Sequence, residues 1–185
     1  AWMFCSGGKA LHFWTLEGSA LARKQARFGK AKAQALLCAA NLHGKDGWRL
    51  ALGGSTGDIL LVSGREVKEV IPKAHAKAVL SVAEGGESCR FFVSGGKDGV
   101  VKLWNASLQP VSSYDLNRDF PSSISGASGS SSMGLAIANA AVGSVDLMPA
   151  EEDASARPAG SKGGARLLVG TLGGEIVQLQ TGKVA

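Results

Sequence analysis

The chain has 185 residues, of which 45% are apolar, 6% aromatic and 19% charged, a composition of globular protein that excludes disordered, collagenous and fibrous classes. The longest weakly polar run, residues 134–142, falls far short of the roughly 20 residues of a membrane helix, so no membrane partner is expected. Cys5, Cys38 and Cys89 are odd in number, far apart and set in or beside apolar runs, which suits reduced core thiols in a reducing compartment better than a disulfide framework.

In chain order, residues 4–14 form a first hairpin with a shortened turn near Lys9 and Trp14 at its end, read as the middle of a blade whose outer strand precedes the chain. Residues 16–32 then read as a long polar excursion. Five cations, Arg23, Lys24, Arg27, Lys30 and Lys32, crowd it with no acidic residue between them, which suits either an acidic partner, such as a tubulin surface or nucleic acid, or simply a solvated loop. Residues 36–42 resume β-type content, residues 44–47 turn, and residues 49–62 form a second hairpin around Thr56. An outer strand follows at residues 66–71, where charged and apolar residues alternate.

After Pro72, an inner strand is predicted at residues 78–83 and a turn at Gly85 and Gly86. The third hairpin, residues 90–105, is the most complete. Asp98 and Gly99 are expected to supply the positive-φ pair of a two-residue turn between apolar runs ending in Trp104. Residues 110–116 read as an edge strand, where Pro110 is tolerated at the start. Residues 121–134 and 149–164, rich in Ser, Gly, Ala or acidic residues, are read as flexible insertions. Between them the inner strand falls at residues 142–148, with residues 135–141 equally apolar. A fourth hairpin, residues 166–179, turns near Gly173, and residues 183–185 would begin its outer strand.

Turn centres at Lys9, Thr56 and Asp98 lie 47 and 42 residues apart, close to the roughly 40–45 of a four-stranded propeller blade. The third unit also resembles repeats of the WD type. In these a Trp indole, a Ser hydroxyl, a His and a turn Asp form one hydrogen-bonded chain, and Trp104, Ser94, His75 and Asp98 fall at those places. The predicted fold is therefore all-β, a partial WD-repeat β-propeller of about three to four four-stranded antiparallel blades. Residues 1–185 belong to one propeller, with blade pieces near 1–28, 33–72, 75–118 and 135–185. Propellers close with about four to eight blades, so a piece of a longer chain is expected.

A more specific resemblance rests on Ser6 through Gly18, with Phe13, Trp14, Thr15, Leu16 and Glu17, followed by Leu21, Lys24, Gln25, Phe28, Leu37, Cys38 and then Gly54, Ser55, Thr56, Gly57, Asp58, Ile59 and Leu60. Extended through His75 and Ser94 to Asp98, this pattern is similar to the echinoderm microtubule-associated protein-like (EMAP-like) family, over about residues 4–120. The resemblance implies two fused propellers in the parent chain, of which this would be later blades of the first. It also implies a cytoplasmic, cytoskeletal scaffold, its range including the axoneme of cilia, that binds tubulin or microtubules and other cytoskeletal proteins. In the family a basic, coiled-coil region ahead of the propellers often carries much of the affinity, and no heptads occur here.

Chemistry has little to work with. No Gly-Lys pair is followed by Ser or Thr, no Gly-x-Gly occurs, neither Cys-x-x-Cys nor His-Glu-x-x-His is present, and no Gly-x-Ser-x-Gly elbow is expected. His75, Ser94 and Asp98 superficially name a hydrolase triad, but only the structural network accounts for Trp104 as well. A non-catalytic protein is expected, without cofactor, metal or nucleic acid. The alternative to a microtubule scaffold is a WD-repeat adaptor, such as the substrate receptor of a ubiquitin ligase.

Overall fold

A computed structural model describes residues 4–6, 10–29, 31–44, 47–85, 91–119, 139–148 and 166–181. Fourteen strands among these form four antiparallel sheets. The first contains β1 (Phe4–Ser6), β2 (His12–Glu17) and β3 (Ala20–Gln25). The second contains β4 (Leu36–Gly44), β5 (Gly47–Gly54), β6 (Ile59–Ser63) and β7 (Glu66–Ile71). The third contains β8 (Val79–Glu84), β9 (Phe91–Gly96), β10 (Val100–Asn105) and β11 (Pro110–Asp115). The fourth contains β12 (Val142–Met148), β13 (Arg166–Thr171) and β14 (Ile176–Gln180).

Within each sheet the strands pair in chain order, and β4, β8 and β12 pack side by side as the innermost strands of adjacent blades. This is part of a WD-type β-propeller, as the repeat predicts. Apolar alternation puts one face of each sheet against the next, so the core is divided into three slabs. Leu11 and Phe13 meet Leu52, Leu60 and Val67 between the first two sheets. Ile59 and Leu61 meet Val79, Phe92 and Trp104 between the second and third. Val93, Val101 and Leu103 meet Val142, Val145 and Val169 between the third and fourth.

A register shift recurs near the start of each innermost strand, at Leu36/Cys38, Val79/Ser81 and Val142/Ser144. Such a bulge advances the alternation by one residue. Val142 and Val145 are consequently both buried although three apart, and residues 142–148 form the inner strand, while residues 135–138 of the equally apolar neighbour lie outside the described residues. Ala140 and Ala141 lead into it without strand structure.

Three readings of the sequence change. The excursion at residues 16–32 contains a strand, because Gly18 at φ 64° makes a two-residue turn that folds β3 back on β2, pairing Trp14 with Arg23. The outer strand of the first sheet thus follows its hairpin instead of preceding it. The Asp98 turn has three residues, 97–99, closed by Gly99 N–H to the Gly96 carbonyl at 3.1 Å. Only Gly99, at φ 80°, needs the left-handed region, as in a type I turn followed by a left-handed residue. Gly57 and Gly174 end the matching turns at φ 89° and 92°. Finally, β11 stops at Asp115 and Leu116 opens a single helical turn, α1 (Leu116–Asp119), in place of continuing the strand. The turn near Lys9, Cys89, the insertions at 121–134 and 149–164, and residues 183–185 lie outside the described residues.

Candidate functional site

The β9–β10 hairpin carries Ser94 in mid-strand, Asp98 in the turn and Trp104 near the end, while the connection from β7 to β8 brings His75 across the hairpin. The Trp104 indole N–H donates to Ser94 Oγ at 2.8 Å. Ser94 Oγ lies 2.8 Å from His75 Nε2, and His75 Nδ1 lies 3.1 Å from Asp98 Oδ1. Since the indole can only donate and the carboxylate only accept, one proton arrangement satisfies every member. Ser94 donates to Nε2, and Nδ1–H donates to Asp98. His75, Ser94 and Trp104 are at most 2% exposed, so each needs the partner it has.

Asp98 also accepts the Ala76 N–H at 2.8 Å and the Val100 N–H at 3.2 Å. Desolvation pushes its pKa up, but the hydrogen bond from His75 and the two backbone donors together outweigh this and hold the carboxyl below its ordinary value. Backbone approach at the site is tight. A Cβ on Gly96 would lie 2.4 Å from His75 Nδ1, which explains Gly at that position.

The second sheet holds a counterpart that sequence reasoning missed. Gln34, 5% exposed, precedes Gly54 by nearly the interval that separates His75 from Gly96, and a Cβ on Gly54 would likewise strike its side chain. Its Oε1 accepts the Thr56 hydroxyl at 2.6 Å and the Thr56 N–H at 3.1 Å, and its Nε2 donates to Asp58 at 2.9 Å. Asp58 reaches on to the Lys73 N–H at 2.9 Å. Desolvation raises the Asp58 pKa, and the Lys73, Thr56 and Gln34 hydrogen bonds with the charge of Lys32 more than reverse it. The spacing from the turn was the available signal, hidden because Gln stands where a His was sought.

These two networks pin the 72–78 connection from both sides. His75 N–H bonds the Gly57 carbonyl at 2.9 Å, and Lys97 N–H bonds the Ala78 carbonyl at 2.8 Å. Lys102 Nζ reaches the Ala74 carbonyl at 2.6 Å while lying 5.9 Å from the centre of the Trp104 ring. Beside this connection is an open cleft of about 680 Å³, bordered by Val70, Ile71, Lys73, Leu108 and Pro110.

The sequence-selected cations do not form one free cluster. Arg23 and Lys24 lie on the outer strand β3, Arg23 about 6.0 Å from the Trp14 ring centre and Lys24 3.9 Å from Glu17. Although no acidic residue lies between these cations in the sequence, hairpin pairing sets Glu17 beside Lys24. Arg27 bridges to Glu66 through its backbone and is exposed, as is Lys32; Lys30 lies outside the described residues.

Residues that could do chemistry are occupied otherwise. Residues 53–57 do spell Gly-x-Ser-x-Gly, which corrects the reading that the pattern is absent, yet Ser55 sits in a hairpin turn with its N–H on the Ala35 carbonyl instead of on a strand-to-helix elbow. Burial pushes the Cys38 thiol up to about 11, opposed in part by a backbone hydrogen bond at Gly53, which leaves it a poor nucleophile at neutral pH. Among the described residues no cluster of His, Cys, Asp or Glu could hold a metal ion, and no helix is long and apolar enough to cross a membrane.

No family model matches the chain. Human echinoderm microtubule-associated protein-like 2 is 27% identical over 117 residues, covering 62% of this chain and 17% of that protein. Human echinoderm microtubule-associated protein-like 4 is 29% identical over 119 residues, covering 56% and 12%. The chain thus spans less than a fifth of the length of these curated relatives. Among solved structures, U3-55K superposes with a TM-score of 0.56 at 16% identity over 97% of this chain and 49% of its own. A chain of the mitotic checkpoint complex gives 0.56 at 17% identity over 91% and 40%. Both likenesses are of fold.

Proposed function

We propose that this chain is part of the propeller of a non-catalytic, microtubule-associated scaffold of the EMAP-like kind, binding tubulin or microtubules together with partner proteins of the cytoskeleton. The observation that carries the reading is the similarity to two proteins named for microtubule association, over more than half of the chain. Their names speak of microtubules and give no support to an axoneme in particular. The geometry agrees with a scaffold role: the only described Ser, His and Asp in mutual contact are consumed in holding a blade, with Ser94 fully buried and already accepting the Trp104 indole.

Sedimentation with polymerised tubulin, using protein that contains the whole propeller, tests the reading. Association between exposed charges weakens as the Debye length falls from about 10 Å at 0.1 M salt to about 3 Å at 1 M. Pelleting at the lower salt that fades at the higher is expected, and protein that stays in the supernatant at both overturns the microtubule reading. A WD-repeat adaptor, for instance a ubiquitin-ligase substrate receptor, then remains. That second reading rests on the WD-type fold alone, which adaptors of many kinds share.

A further inference from the structure

The turn-bearing end of the propeller collects cations that the sequence scatters over 65 residues, from Lys32 to Lys97. Lys32 acts electrostatically on Asp58, Asp58 bonds the Lys73 N–H, Asp98 bonds the Ala76 N–H next to Lys77, and the Lys97 N–H bonds the Ala78 carbonyl. Lys32, Lys73, Lys77 and Lys97 therefore stand on one contiguous surface, built from two interblade connections and the turn of the third sheet. All four are exposed, and among the described residues none makes an ion pair.

Several other charges are paired. Lys24 lies on Glu17, Arg49 on Glu69, Lys68 on Glu66 and Arg118 on Asp119. Of the carboxylates at the turn end, Asp58 and Asp98 are aimed at backbone and side-chain N–H donors of the two networks, Asp115 accepts from Asn117, and Asp119 lies on Arg118. The ammonium groups are left as the outward charge. We propose that this turn end, and not the outer strand with Arg23 and Lys24, is a docking surface for a carboxylate-rich polypeptide segment.

The chemistry favours carboxylates over nucleic acid. All four cations are Lys, compact point charges that attract carboxylate and phosphate alike, so what tells against nucleic acid is the lack of a stacking surface. Among the residues whose side chains are described, no aromatic ring is exposed to stack on a base. A flexible run of Glu or Asp needs no such surface, only several positive charges within a Debye length. The proposal rests on the reading of this protein as a binding scaffold, but not on microtubules as its partner.

The test is equilibrium binding of a fluorescein-labelled deca-glutamate peptide, read by anisotropy at about 0.1 M salt, where the Debye length is about 10 Å. The variant carrying Lys73→Glu, Lys77→Glu and Lys97→Glu should lose about tenfold or more in affinity, since reversed exposed charges repel the ligand they attracted. The milder variant with the same three residues changed to Gln should lose less and should melt like the parent, which separates lost binding from lost folding. Reversing Arg23 and Lys24 should change affinity by less than about twofold. Parent-like affinity in the Gln variant, an equal loss on reversing Arg23 and Lys24, or failure of the parent to bind the peptide overturns the proposal. So does displacement of the peptide by an oligothymidylate of equal charge at lower concentration. Peptide binding by a parent protein that does not pellet with microtubules would remove the microtubule reading and leave this one standing.

Discussion

Replacing Asp98 with Ala removes the acceptor at the end of the Trp104, Ser94 and His75 chain, and the cost can be worked from the geometry. His75 Nδ1–H, on a side chain with no exposure, loses a bond to a charged acceptor. Hydrogen bonds to charged groups contribute about 1.5–3 kcal/mol, and leaving a buried donor unmade costs a similar amount. The Ala76 N–H belongs to an exposed residue and can turn to water, and the Val100 bond is long at 3.2 Å, so these add little. A total of about 2–4 kcal/mol follows, a large part of the roughly 5–15 kcal/mol that holds a typical domain together. Urea unfolding followed by circular dichroism measures it. Asp98→Asn, which keeps a carbonyl acceptor for His75, should lose distinctly less.

The pH dependence gives the sign. The folded pKa of Asp98 is depressed, so its contribution is fully present above the unfolded value and is lost as pH falls through the lower folded value. The difference between parent and Asp98→Ala should stay level from neutral pH down to about 5 and shrink below about 4, the ordinary carboxylate range. Equal urea midpoints for the two proteins at neutral pH, or a difference unchanged at pH 2, would refute the argument that an ionised acceptor supports this blade.

Gly57→Ala should destabilise far more than Gly64→Ala in a thermal melt. Both have left-handed backbone, but a Cβ at Gly57 would meet the His75 carbonyl at 2.1 Å whereas nothing lies within 4 Å at Gly64, so only the second should stay near the 1–2 kcal/mol or so of backbone strain alone. Gln34→Ala should cost about 1–2 kcal/mol and speed amide exchange at Thr56, whose N–H it leaves without an acceptor; unchanged exchange would mean that Gln34 does not hold the turn.

Local rules made much of the chain legible. The strands at residues 66–71 and 142–148 and the turns around Thr56, Asp98 and Gly173 follow from alternation and Gly-rich turn chemistry, which act over a few residues. The spacing of His75, Ser94, Asp98 and Trp104 named a network whose four side chains stand in hydrogen-bond contact. What local rules could not decide depends on partners distant in sequence. Residues 20–25 lack a strong strand pattern and are a strand because Gly18 folds them onto β2, where the ladder supplies their backbone hydrogen bonds. Gln34 matters because the Thr56 turn of its own sheet stands over it, and Lys73 is fixed by Asp58. Whether a lysine is free or spent is likewise a tertiary property: charge is written in the sequence, but the carboxylate that lies within 4 Å is chosen by the packing of strands, connections and turns.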